Sequence, residues 1–278
     1  MSPTPRRLAA VAAAGVTLLG LSAAAPAARA QIMSNPGQWY TNNQIYSMRV
    51  FNGVVGNSLL GKGAKKGGKA APGGAKKKAA PAAADPTVYK ESAARSLAKT
   101  LAKKTANPAE AEKAFASFLQ LYRQTARKDG FPANDLAYAF EYFVVNNYQI
   151  AHDLVDLPID KDPRARRAID GFDRIAILGE KRTLQVTAYQ ERAVYDQFRA
   201  LLRDNPQVRA MTDAQKQEAT ELLAILVGVN FNAYLHGVNA ENEQAADAGR
   251  RMAREGLEKL LGAPLDKVRI TNTGVAVP

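Results

Sequence analysis

The stretch TDAQKQEATELLAILVGVNFNAYLHG, residues 212–237, decides the fold. Its first four residues, Thr212-Asp213-Ala214-Gln215, form a capping box. The threonine hydroxyl can accept from the N–H three residues on, and the glutamine can reach back to the threonine N–H. Leu222, Leu223, Ile225, Leu226, Val229 and Phe231 then leave little polar surface on the helix that follows, so it is expected at the centre of a bundle. Asn230 and Asn232 interrupt the apolar run and argue against a membrane span.

Working outward, the same logic finds a second central helix at about Asn134 to His152, carrying Leu136, Phe140, Phe143, Val144 and Ile150. Before it, Asn107-Pro108-Ala109-Glu110 reads as a helix start: a cap, a proline at the first helical position, and an acid able to reach back. Phe115, Phe118, Leu119, Tyr122 and Ala126 follow on one stripe, and Gly130 ends the helix. Asp85-Pro86 is a further expected cap, for a first helix holding Leu97 and Leu101.

Asp162-Pro163 predicts a shorter helix with Ile169, Phe172 and Ala176 facing in. A helix from about Leu184 to Arg203 carries Val194, Tyr195, Phe198, Leu201 and Leu202. In the last helix, about Glu241 to Leu261, Ala245, Gly249 and Ala253 recur every four residues, and small residues so placed let a neighbour approach. Gly262 and Pro264 stop it, and Val268, Ile270 and residues 274–277 suggest a short extended tail. The expectation is an all-α single bundle of about six to seven helices over 87–262, with an extended tail at 263–278.

The N-terminal third has other compositions. Residues 1–30 have the three parts of a signal peptide: Arg6 and Arg7, an apolar run from Leu8 to Ala25, and Ala28-Arg29-Ala30 as the cleavage site. The chain is therefore expected to be exported, to the periplasm or beyond, and not to be an integral membrane protein once processed. Residues 31–61 are apolar and aromatic around the single tryptophan, Trp39. They read either as a strap on the helical domain or as an exposed patch. Residues 62–86 are Lys, Gly, Ala and Pro, a composition expected to stay disordered. As a coil this tether spans roughly 25–30 Å.

Charge follows the same division. The formal net charge is +12, yet residues 88–278 carry 27 basic and 25 acidic side chains. The excess sits in the signal and in the seven lysines from Lys62 to Lys78. That tether reads either as a binder of anionic polymers or lipid headgroups or as a plain soluble spacer. The domain itself shows no basic footprint of sequence-specific nucleic-acid binding. The chain has no cysteine, which removes disulfides, thiolate nucleophiles and cysteine-bound metal centres.

Catalytic signals are thin. His152 and His236 are the only histidines; they cannot make a three-histidine zinc site, and no metal or cofactor is expected. Glu141, inside the apolar run 136–145, either marks the solvent edge of its helix or faces inward and needs a partner. Inward, with His236 and Asn146, Asn147, Asn230 and Asn232, it would be the acid of a polar pocket. Otherwise the asparagines satisfy one another or nearby backbone. No nucleotide-binding or hydrolase motif is present.

Val194-Tyr195-Asp196-Gln197-Phe198-Arg199, Asn205-Pro206, the run Met211 to Glu218, Leu257 to Gly262 and Val268 to Thr271 together carry a resemblance. From about residue 88 to 277 the chain resembles an uncharacterised family of exported bacterial proteins of unknown function. The resemblance implies a helical exported domain and supplies no activity or site residue. The expected role is a non-enzymatic binding or structural module of the cell envelope. The alternatives are an envelope-polymer hydrolase using a buried carboxylate and a small-ligand or lipid carrier built on the aromatic stripes.

Overall fold

The Thr212 box forms as expected. The Thr212 hydroxyl accepts from Gln215 N–H at 3.3 Å, and Gln215 Oε1 accepts from Thr212 N–H at 2.9 Å. The computed structural model describes residues 85–92 and 96–277. The expected signal peptide, the aromatic segment 31–61 and nearly all of the lysine-rich stretch lie outside the described residues.

Among those residues the helices are α1 (Leu97–Ala102), α2 (Pro108–Asp129), α3 (Leu136–Ala151), α4 (Pro163–Arg166), α5 (Gly171–Leu184), α6 (Ala188–Asp204), α7 (Pro206–Ala210), α8 (Asp213–Asn239) and α9 (Glu243–Leu261). A 3-10 turn, Leu265–Lys267, leads to the strands β1 (Arg269–Thr271) and β2 (Gly274–Ala276). These pair antiparallel, Ile270 opposite Val275. The fold is an all-α bundle closed by one small hairpin.

The two apolar helices are central. α8 packs on α9, α3 and α2, and α3 also packs on α6. α8 has the length and apolarity to cross a bilayer, but its most apolar window is 83% buried inside the bundle. Each of its buried Leu, Ile and Phe side chains contributes about 1.5–3 kcal/mol. The aromatic stripes fill the same core. Tyr122, Phe131, Tyr138, Tyr142 and Tyr195 lie ring against ring, with neighbouring centroids 4.9–6.1 Å apart, so they act as packing here.

Several local expectations change. Asp85 starts no helix. Its carboxylate accepts from the N–H and hydroxyl of Thr87 in a turn, and the chain then runs as an extended strap. Val88 bridges Asp135, and Asn134 Nδ2 donates to Tyr89 O at 2.6 Å. The Gln217 amide of α8 brackets Ser92 through both of its backbone groups. Asn107 makes no side-chain cap at the start of α2. At α1 the missing cap is supplied from α8, where Glu221 Oε2 accepts from Leu97 N–H at 2.7 Å. A helix start leaves N–H groups without partners, so a buried glutamate from a neighbouring helix answers both needs.

α6 begins at Ala188, later than expected, on a second complete capping box of Thr187 and Gln190. The tail is more than extended chain. Val268 and Val275 are buried, and Gln197 of α6 pins β2 by accepting from Val275 N–H and donating to its carbonyl.

Candidate functional site

The polar residues of the two central helices do not assemble around one cleft. Glu141 faces inward, 2% exposed, so it is not a solvent edge. It lies on the tyrosine side of α3, where its charge, after burial, helps raise the phenols of Tyr138 and Tyr142. Asn147 and Asn230 meet on another face. Asn230 Nδ2 donates to Asn147 Oδ1 at 2.7 Å, and Asn147 Nδ2 donates to Phe143 O at 2.8 Å. Six residues separate Glu141 from Asn147, which turns them about 120° apart on the helix. Asn146 spends its amide on Tyr142 O. His236 is exposed in the last turn of α8, away from the buried side chains it was expected to join. The pocket of Glu141, His236 and Asn230 is therefore not formed. Among the described residues, no group of three or more His, Asp or Glu is placed to hold a metal ion.

A charged cluster missed by sequence reasoning sits at the C-terminal end of α3. Asp153 has φ 53°, the left-handed region that favours glycine. Asp153 N–H bonds Ile150 O and Leu154 N–H bonds Gln149 O, the pairing of a Schellman motif. An aspartate occupies the position because its carboxylate ties three elements. It accepts from Tyr234 Oη at 3.0 Å, Arg250 Nε at 2.7 Å and Arg167 Nη2 at 2.9 Å. The cluster locks α3, α8, α9 and the residues after α4 together.

Next to it, His152 ends α3 with its ring 4.5 Å from that of Tyr148. Its Nε2 is buried without a hydrogen-bond partner. Burial first, then the charges of Arg254, Arg164 and Arg269, push its pKa below the ordinary 6.5. The unfolded chain thus binds a proton at higher pH than the native one. The histidine's contribution to stability is complete above 6.5 and is lost as pH falls toward the folded value. Urea unfolding midpoints at pH 7.5 and in steps below 6.5 should show that loss, and His152→Asn should flatten the slope. An unchanged slope would sink this assignment.

The remaining feature is a surface. Ile169, Phe172 and Ala176 do not face in. Ile169 is 94% exposed, Phe172 87% and Ile175 72%. Along α5, at roughly 100° per residue, Phe172, Ile175, Ala176 and Gly179 fall within an arc of about 100°. That arc points to solvent, and Lys181 is the only buried residue of the helix. The main neighbour of α5 is the short α4. The mooring is polar: Lys181 Nζ pairs with the buried Asp162 and donates to Val155 O at 2.6 Å, and Gln185 Nε2 donates to Leu154 O at 2.9 Å. Asp162 also caps α4. α5 is thus a helix held by a buried ion pair with its apolar side turned outward.

A family model described as a family of unknown function (DUF6683) matches residues 8–163 and 183–277. The matched stretches leave out 164–182, which holds all but the first residue of α4 and all but the last two of α5. No curated protein and no solved structure matches the chain.

Proposed function

The chain belongs to DUF6683, a family of unknown function, so membership brings no activity with it, and we propose that this protein is a non-catalytic binding module exported to the cell envelope. The outward apolar side of α5 is its contact surface, and the lysines from Lys62 to Lys78 draw it toward anionic material. One observation carries this reading: Ile169, Phe172 and Ile175 stand in solvent while the apolar residues of α3 and α8 are packed away. Large apolar side chains grouped on one exposed face mark interaction sites. The lysines add an attraction that reaches about a Debye length and weakens with salt.

Retention on isolated envelopes tests the reading. The Phe172→Ser/Ile175→Ser double variant should fold as the parent does, because both side chains are exposed, and should be retained at least about tenfold more weakly. Replacing the seven lysines by alanine should remove most of the salt dependence. Retention indifferent to both sets of changes overturns the proposal.

A further inference from the structure

We propose that the α4–α5 segment docks on an anionic lipid surface, Phe172 and Ile175 entering the acyl boundary and arginines meeting the headgroup phosphates; this rests on the binding role proposed above and names its partner. Interfacial helices combine an apolar face with flanking basic residues and lie in the plane of the bilayer. α5 supplies the apolar face; Arg182 borders its arc on one side and Glu180 on the other, and Arg174 lies on the opposite side of the helix. Arg166, the last residue of α4, and Arg167 after it are exposed as well, with Arg166 donating through Nη2 to Lys161 O and Val238 O. The exposed acids of the segment are Asp170 and Glu180, so cations outnumber them. Arg167 also pairs with Asp153 through one nitrogen, with more than half of its side chain still in solvent. Long arginine side chains at the edge of an apolar face reach headgroups while their stems stay on hydrocarbon.

Two other occupants fit less well. Residues 31–61 are apolar enough to cover α5, but they fall inside the family match and α5 falls almost wholly outside it. A strap shared by the family has its seat on shared structure, not on a segment the family match leaves out. A second copy would bring the same arginines together across a twofold axis, and that like-charge contact disfavours it. An anionic bilayer answers both the apolar face and its charge. The lysine tether carries charge of the same sign, so both would address one surface.

The experiment is co-flotation of the exported protein with vesicles of phosphatidylcholine alone and of phosphatidylcholine with phosphatidylglycerol, at low and high salt. The parent should float with the anionic vesicles. Phe172→Ser/Ile175→Ser should weaken that binding about tenfold or more, and Arg182→Gln should weaken it at low salt only, whereas Arg174→Gln, on the opposite side of α5, should change it less. In a Trp39→Phe background, the emission of the Phe172→Trp variant should shift to the blue when anionic vesicles are added. Failure to float with anionic vesicles overturns the inference. So does flotation that persists in the Phe172→Ser/Ile175→Ser variant. Emission from the Phe172→Trp variant that is already blue-shifted and indifferent to vesicles assigns the face to residues 31–61. A doubled mass in sedimentation that Phe172→Ser/Ile175→Ser abolishes assigns it to a second copy. Either result overturns the inference too. If vesicle binding fails but envelope retention still depends on Phe172 and Ile175, the binding role survives and the lipid partner alone falls.

Discussion

Gly237→Ala should unfold at a clearly lower urea concentration than the parent, a loss of about 3 kcal/mol or more. Gly237 lies in the last turn of α8, where α9 starts back against it. A Cβ there would strike Ala246 N, with Ala245 C and Ala246 Cα only 2.6 Å away. These are backbone atoms. Ala246 N–H is bonded to Asn242 O at 3.0 Å, and Asn242 N–H to Gly237 O at 2.9 Å, so the first turn of α9 has no room to give. A second close approach reinforces the seam: a Cβ on Gly249 would lie 2.5 Å from Tyr234 N. Two glycines of the same chain calibrate the result. Gly228 meets the root of the Phe118 side chain, whose Cβ would lie 2.7 Å away and is fixed by the backbone of α2, and the exposed Gly179 meets nothing within 4 Å. Gly228→Ala should therefore be destabilising too, and Gly179→Ala should gain up to about 1 kcal/mol from helix propensity. The close-approach account fails if Gly237→Ala is no worse than Gly179→Ala at unchanged denaturant slope.

Lys181→Met should release α5 from the body. Asp162 is fully buried, and its carboxylate is shared between Lys181 and the N–H groups of Arg164 and Ala165. Removing the cation strands a charge and the carbonyl of Val155, which costs about 3–5 kcal/mol in a buried pair. The global transition should register only part of this, because α5 packs chiefly on α4 and can open without the bundle. The amides of Gly171–Leu184 should exchange about a hundredfold faster or more, while those of α3 and α8 change little. Adding Asp162→Asn should recover part of the loss, since a neutral amide costs less to leave inside. Unchanged exchange in α5 means that the ion pair does not hold the helix. The same variant should weaken envelope retention, because the contact surface loses its fixed position.

The apolar side of α5 faces solvent although its spacing is that of a packed helix, for a physical reason. Ile169, Phe172 and Ala176 recur at helical spacing, and spacing reports only that apolar residues share one side of a helix. Whether a neighbour lies against that side depends on elements far along the chain. Glu141 shows the same limit: one acid in an apolar run fits an edge or an interior. The start of α6 was legible and missed, since Thr187-Ala188-Tyr189-Gln190 has the spacing found at Thr212. Nothing local marks Asp153 as a hub, because its partners Arg167, Tyr234 and Arg250 come from three separate stretches of the chain.

Taken alone, the sequence determined the long helices α2, α3, α8 and α9, the central places of α3 and α8, and the stops at Gly130 and Gly262. Each of these rests on hydrogen bonds and apolar patterns spanning a few residues. Only the tertiary structure decided that Glu141 is inside, that His236 is outside, and that α5 turns its apolar side to solvent. Burial belongs to pairs of surfaces, and the second surface of each pair is brought in by the fold.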